Sequence, residues 1–182
     1  YSIDLPMSFY HGAGVNLGES YDTPSKYVSD SLKLEEQFIR EDSWEKDHYH
    51  FWYLAKSYFD CRNYPNFPEP RNQNNNFRRR AQMYFENYIH QCTRLGHNFN
   101  ELLYWAHINA GKASAELYEH RRAFDHWQTA GPLCPGRNEH AIEAVNHALW
   151  LQDKVTGDKF YHQIQREKFM FPDYQIFLDA SD

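Results

Sequence analysis

Cysteine is scarce in this chain, and its three copies, Cys61, Cys92 and Cys134, lie far apart with no Cys-x-x-Cys pair. That spacing offers no disulfide framework and no thiolate metal site. Free thiols, buried or half-buried in a reducing, cytoplasmic compartment, are the expectation. Long apolar runs are missing too. No window approaches the roughly 18 apolar residues a membrane-spanning helix needs, so no membrane span is predicted. Excess positive charge is absent: 19 Lys and Arg stand against 25 Asp and Glu, a formal net charge of -6. This argues against general nucleic-acid binding, which requires a basic face. No Gly-rich phosphate loop, Gly-x-Ser-x-Gly elbow or supported Cys–His pair is visible. Starting at Tyr1 with no Met or charged leader, the sequence reads as a piece of something longer.

Aromatic residues are what the chain has in quantity. They make up 18% of its 182 residues, against a mean hydropathy of -0.87 that would otherwise suggest disorder. Tyr, Phe and Trp bury large areas, and Tyr and Trp keep a polar tip, so an aromatic-rich core is expected. The length suits one domain with a real core.

The pattern is clearest over residues 51–88. Phe51, Leu54, Ala55 and Tyr58 recur at spacings of three and four and share a helix face, and Ala81, Tyr84, Phe85 and Tyr88 do the same. A small residue in each helix, Ala55 and Ala81, lets two backbones approach while aromatics fill the flanks. This is the pattern of a helical hairpin of the tetratricopeptide type.

Other segments extend the plan. Residues 1–25 form an irregular N-terminal segment in which Met7, Phe9 and His11 alternate as in a short strand, before a turn at Gly12 and Gly14. Pro24 opens a helix running through KYVSDSLKLEEQFIRE, and Ser43 caps the next, 44–61. The stretch from Pro65 to Asn76 reads as a loop on its prolines and asparagines, with the helix resuming at 77–94. Asn98 with Glu101 makes a capping-box-like start for a helix over 99–113. Further helices are predicted at 116–130, 138–153 and 157–169, closed by Phe171-Pro172. The fold class expected is all-α, a tetratricopeptide-like stack of about seven helices over 26–172, with a short tail at 173–182.

Taken in order, these motifs resemble the helical region of bacterial and viral family-2-like glycosyltransferases that carry tetratricopeptide repeats. Lys26, Tyr27 and Asp30 match a Lys-Tyr-x-x-Asp helix; Phe51, Tyr53, Leu54, Ala55, Ser57 and Tyr58 match the hairpin. Pro135, Arg137 and Glu139 match a Pro-x-Arg-x-Glu turn, and Phe171-Pro172 an aromatic-Pro step. The resemblance implies a catalytic GT-A domain ahead of this region. The chain departs from it in two ways. Its first hairpin loop is about fourteen residues longer than a repeat of about 34 residues allows. It also has no parallel-strand run and no Asp-x-Asp in a suitable setting. A nucleotide-sugar transferase needs carboxylates to hold a divalent ion, so metal and nucleotide sugar are implied only with a catalytic domain attached.

Candidate residues follow from both lines. In the resembled enzymes a histidine just after the core completes the metal site, which His11 in FYHGAG would match; read alone it is a turn histidine beside glycines. Arg78, Arg79 and Arg80 suit an anion or partner site, because guanidinium forks grip oxyanions, or else a solvated helix N-terminal turn. His48 and His50 at i, i+2 point to different faces. His140 and His147 stand two turns apart and could share a side with Glu143. Glu116, Glu119 and His120 invite a di-iron reading whose Glu-x-x-His spacing they do not keep, Glu116 to His120 being i, i+4 and Glu119 adjacent to His120. Trp44, Trp52, Trp105, Trp127 and Trp150 fit a core at helical spacing, or stacking on sugars. The functional expectation is a non-catalytic scaffold presenting a surface to a protein partner or glycan acceptor, with no cofactor of its own. The rivals are part of an active sugar transferase whose catalytic half lies outside this chain, and an assembly component of a virus or phage particle.

Overall fold

A computed structural model of the protein describes residues 32–38, 40, 49–62, 71–96 and 100–164. Among the described residues every regular element is a helix, and the architecture is all-α. Outside them lie the irregular 1–25 segment with His11, the Lys26–Asp30 motif, the Ser43 cap, Trp44, His48, the Asn98 cap, and the region from 165 that holds Phe171-Pro172. The chain divides into two compact units, Tyr1–Asn98 and Phe99–Asp182.

In the first unit, α1 (Tyr49–Cys61) pairs with α2 (Arg71–Leu95). The face read from sequence is the one that is buried: Phe51, Leu54, Ala55 and Tyr58 from α1, with Ala81, Tyr84, Phe85 and Tyr88 from α2. Ala55 and Ala81 are fully buried, and rings close around them. Phe51 stacks on Tyr84 at 6.2 Å, and Phe59 meets Phe85 edge-on at 6.0 Å. Such pairs contribute about 0.5–1.5 kcal/mol each beyond area burial. The helical residues 32–38 add Leu34 and Phe38, the latter stacked on His50 at 3.8 Å.

One boundary differs from expectation. The helix starts at Arg71, not at 77, so the predicted loop is helical over its last six residues, Arg71–Asn76. Pro70 is the last proline before the amphipathic run. Beyond it only weak propensity penalties oppose extension, and propagating an existing helix needs no new nucleus.

The second unit holds α3 (Asn100–Glu116), α4 (His120–Ala130), a 3-10 turn (Gly131–Leu133), α5 (Glu139–Leu151) and α6 (Lys154–Tyr161). The pairs α3–α4 and α5–α6 each form a hairpin, and α5 also packs on α3 and α4. Small residues dominate the contacts: Ala106, Ala110, Gly111 and Ala113 on α3, Ala123 and Ala130 on α4, Ala141, Ala144 and Ala148 on α5. Trp127 fills the centre. Its indole N–H donates to the Ile108 carbonyl at 3.2 Å, and the ring lies flush on Gly111. A Cβ there would sit 2.8 and 2.9 Å from two indole carbons, so only glycine fits.

Helix ends in this unit also depart from the sequence reading. Helix α3 runs past 113 to Glu116, and α4 starts at His120 rather than 116. Between them Tyr118 takes a left-handed φ of 62°. The Glu119 N–H reaches the Ser114 carbonyl at 2.9 Å and the Tyr118 N–H reaches Ala115 at 3.0 Å, a Schellman motif with tyrosine where glycine is usual. The same device ends α5. Gln152 has φ 57°, the Asp153 N–H bonds Ala148 at 2.9 Å, and the Gln152 N–H bonds Leu149 at 3.1 Å. Asp153 then caps α6 by accepting the Thr156 N–H at 3.1 Å, which starts that helix before Gly157.

Candidate functional site

The arginine run falls inside α2, beyond its first turn, because the helix begins at Arg71. The three cations therefore do not stand at a helix N-terminal turn, where the positive end of the helix would oppose them. Arg79 donates to Gln82 at 2.8 Å. Arg80 donates to the Tyr58 hydroxyl at 3.3 Å, with its guanidinium over the Tyr58 ring at 5.2 Å. Burial first, then the charge of and a hydrogen bond with Glu35, hold the Tyr58 and Tyr84 hydroxyls well above the usual phenol range. Arg80 thus belongs to a polar cluster inside the hairpin.

Pro135, Arg137 and Glu139 organise a turn in the second unit. Arg137 bonds Glu139 at 3.1 Å and Glu101 at 3.1 Å, and its guanidinium lies over Tyr104 at 5.5 Å and Trp105 at 5.2 Å. Burial raises the Glu139 carboxyl, but the Arg137 bond, backbone and Tyr104 bonds and the Arg137 charge together leave it below its ordinary value. Tyr104 accepts the His140 N–H at 3.1 Å, and its hydroxyl also lies 3.1 Å from Glu139 and from His140 Nδ1. His140 Nε2 faces Gln163 Oε1 at 3.2 Å, a contact that a ring protonated at Nε2 makes by donating. Burial depresses its basicity.

His140, His147 and Glu143 do not converge. His140 belongs to the Tyr104 network, Glu143 pairs with Lys112 at 3.5 Å, and His147 Nε2 meets His120 Nδ1 at 2.8 Å. His120 is accordingly held by another histidine and not by Glu116 or Glu119. His107 and His126 form a second such pair, Nδ1 to Nδ1 at 2.9 Å. Among the described residues no group of three or more His, Cys, Asp or Glu is placed to hold a metal. The cysteines are free, and burial pushes all three thiols up.

The tryptophans divide. Trp127 is core, whereas Trp150 is 64% exposed and Tyr118 beside it is 72% exposed. Their rings stack at 6.4 Å with 28° between planes, and His147 stacks beneath Trp150 at 5.8 Å and 19°. His147 in turn rests on Phe124 at 5.4 Å and Trp127 at 5.8 Å, so the exposed rings stand on the core. Burial, then the nearby His120, lowers the His147 pKa. Alongside Trp150 lies a cavity of about 250 Å³ edged by Lys112, Glu116, Glu143 and Asn146. Sequence reasoning named Trp150 as one of five tryptophans fit for a core or for stacking on sugars, and missed Tyr118. A tyrosine carries no signal for a left-handed cap, which glycine or asparagine normally announces.

No family model matches the chain, and neither a curated protein nor a solved structure matches it.

Proposed function

We propose that this chain is a non-catalytic, tetratricopeptide-like binding module that presents the Tyr118–Trp150 surface to a ligand. The observation that carries this reading is the recurrence of one device: Gln152–Asp153 repeats the left-handed cap and helix start of Tyr118–Glu119 at a separation of 34 residues, the tetratricopeptide period. The register around it agrees. Gly111 on α3 receives the Trp127 ring of α4, Trp127 follows the buried Ala123 by four, and Pro135 lies in the turn before α5. In the first unit Phe51, Leu54, Ala55 and Tyr58, then Ala81 and Phe85, fit the same aromatic–small–aromatic pattern.

The tie to a family-2-like glycosyltransferase rests on the motif order alone and belongs to the same proposal. In it, the chain serves an attached catalytic domain by holding an acceptor or partner. A cytoplasmic setting accords with three free cysteines, and no described helix is long and apolar enough to cross a membrane. The test is a sugar-nucleotide hydrolysis assay on the chain with Mg²⁺ or Mn²⁺. Background rates are expected; metal-dependent turnover would overturn the non-catalytic reading. A reading frame that continues upstream into an α/β domain with Asp-x-Asp supports the glycosyltransferase tie, and one that does not removes it.

A further inference from the structure

A cavity of about 380 Å³ opens between α4, the end of α5 and α6, lined by neither Tyr118 nor Trp150. Its size falls in the range of small-molecule sites, about 300–1,000 Å³. The walls are of two kinds. Phe124, Leu151 and Phe160 give an apolar lining, with Phe160 buried and stacked on Phe124 at 5.9 Å. Arg121 and Asp125 from α4, and Lys159 from α6, bring charge to the same space.

These charges stand differently from others in the unit. Arg122 pairs with Glu119, Lys112 with Glu143, and Arg137 with Glu101 and Glu139. Among the described residues no hydrogen bond or ion pair holds the side chains of Arg121, Asp125 or Lys159. Asp125 bonds only through its carbonyl, to Thr129. Arg121 and Asp125 lie one helical turn apart with the cation nearer the N-terminus, the order that gives the weaker i, i+4 pair. Asp153 adds a second carboxylate to the cavity, one oxygen of which accepts the Thr156 N–H.

Two cations and two carboxylates sum to no net charge, and that balance selects among ligands. An anion would be opposed by Asp125 and Asp153, and a cation by Arg121 and Lys159. A neutral ligand would strip water from charges that it cannot satisfy. A zwitterion meets both signs. An α-amino acid carries ammonium and carboxylate on one carbon, a separation that suits side chains one turn apart, and a guanidinium grips a carboxylate well. Its side chain then meets the apolar lining.

We propose that this cavity binds a free α-amino acid with a large apolar side chain. Asp125 takes the ammonium, Arg121 and Lys159 the carboxylate, and Phe124, Leu151 and Phe160 the side chain. This goes beyond the binding-module reading, which concerns the Tyr118–Trp150 surface.

The test titrates the chain with L-phenylalanine, L-tryptophan, L-leucine and L-methionine, followed by backbone amide NMR. With at least one of them, the amides of Arg121–Gln128 and Thr156–Phe160 should shift saturably, with a Kd of about 1 mM or tighter. Three relatives of phenylalanine separate the charges: 3-phenylpropionate lacks the ammonium, phenethylamine lacks the carboxylate, and N-acetylphenylalaninamide lacks both. Each should bind about tenfold more weakly than the amino acid, and so should glycine, which lacks the side chain. Asp125→Asn and the double variant Arg121→Gln/Lys159→Gln, all at exposed positions, should each weaken binding about tenfold or more. Val155→Ala, exposed and outside the lining, should leave it unchanged. The proposal is overturned if none of the four amino acids shifts these amides at about 20 mM. It also falls if a singly charged or neutral relative binds as tightly as the amino acid. Unchanged affinity in either the Asp125 variant or the double variant would overturn it as well. None of these failures touches the non-catalytic reading, which falls only to turnover in the nucleotide-sugar assay.

Discussion

The two units solve the same packing problem with different materials. The α1–α2 hairpin closes rings upon rings: Phe51 on Tyr84, Tyr58 on Phe77, Phe59 on Phe85. The second unit adds Gly111 and a series of alanines that close around Trp127. Where small residues make the contact, backbones approach closely, and Tyr104, Phe160 and Tyr161 are buried beside them. Tyr118 and Trp150 stand outside, at helix ends in the second unit. The comparison teaches that a high aromatic content does different work by position: it is core in the first hairpin and divided between core and surface in the second unit.

The largest effect should come from opening the aromatic hairpin. Phe85→Ala removes a fully buried ring and should cost about 3–5 kcal/mol, read by denaturant unfolding. A loss under about 1 kcal/mol would mean the rings are not the adhesive of that unit. Next is Gly111→Ala. In an exposed helix this change stabilises, but here the new methyl strikes the Trp127 indole. A loss of about 1–3 kcal/mol is expected, and the same substitution made in a Trp127→Leu background should cost less. Stabilisation by Gly111→Ala alone would contradict the close contact.

Tyr118→Gly should move the other way. Relieving the left-handed tyrosine should raise stability by about 1 kcal/mol, a Tm gain of about 2–4 °C. Unchanged or reduced stability would remove the strain argument. The smallest effect should be on pH. His140 and His147 are both depressed in the fold, burial being the leading cause in each. The unfolded chain then takes up protons first. Stability should be full above about pH 6.5 and decline as pH falls from there through the lowered folded values. Thermal melts at pH 7.5 and 5.5 check this, and His147→Gln should flatten the difference; greater stability at pH 5.5 would reverse the sign.

Much of the fold was legible because periodicity reports burial. Each of the eight residues read as the hairpin face at 51–88 is buried. Helix ends were harder. The start at Arg71 was hidden because Asn and Gln suggest a turn yet tolerate a helix, and the caps at Tyr118 and Gln152 were hidden because neither residue advertises a positive φ. Of the Tyr118–Trp150 surface, Trp150 was visible only as one of five tryptophans, and Tyr118 not at all. A site made by a turn's handedness leaves no spacing to read. The histidines misled for a related reason: His140 and His147 share a helix, but partners on other helices, Tyr104 and His120, set their roles.

Backbone NMR on the protein tests the central claim most directly, by reading φ at Tyr118 and Gln152. The account predicts left-handed values near 62° and 57° at both residues, with regular helix before and after each. A helical or extended φ at either would contradict the 34-residue recurrence on which the repeat and its Tyr118–Trp150 surface depend.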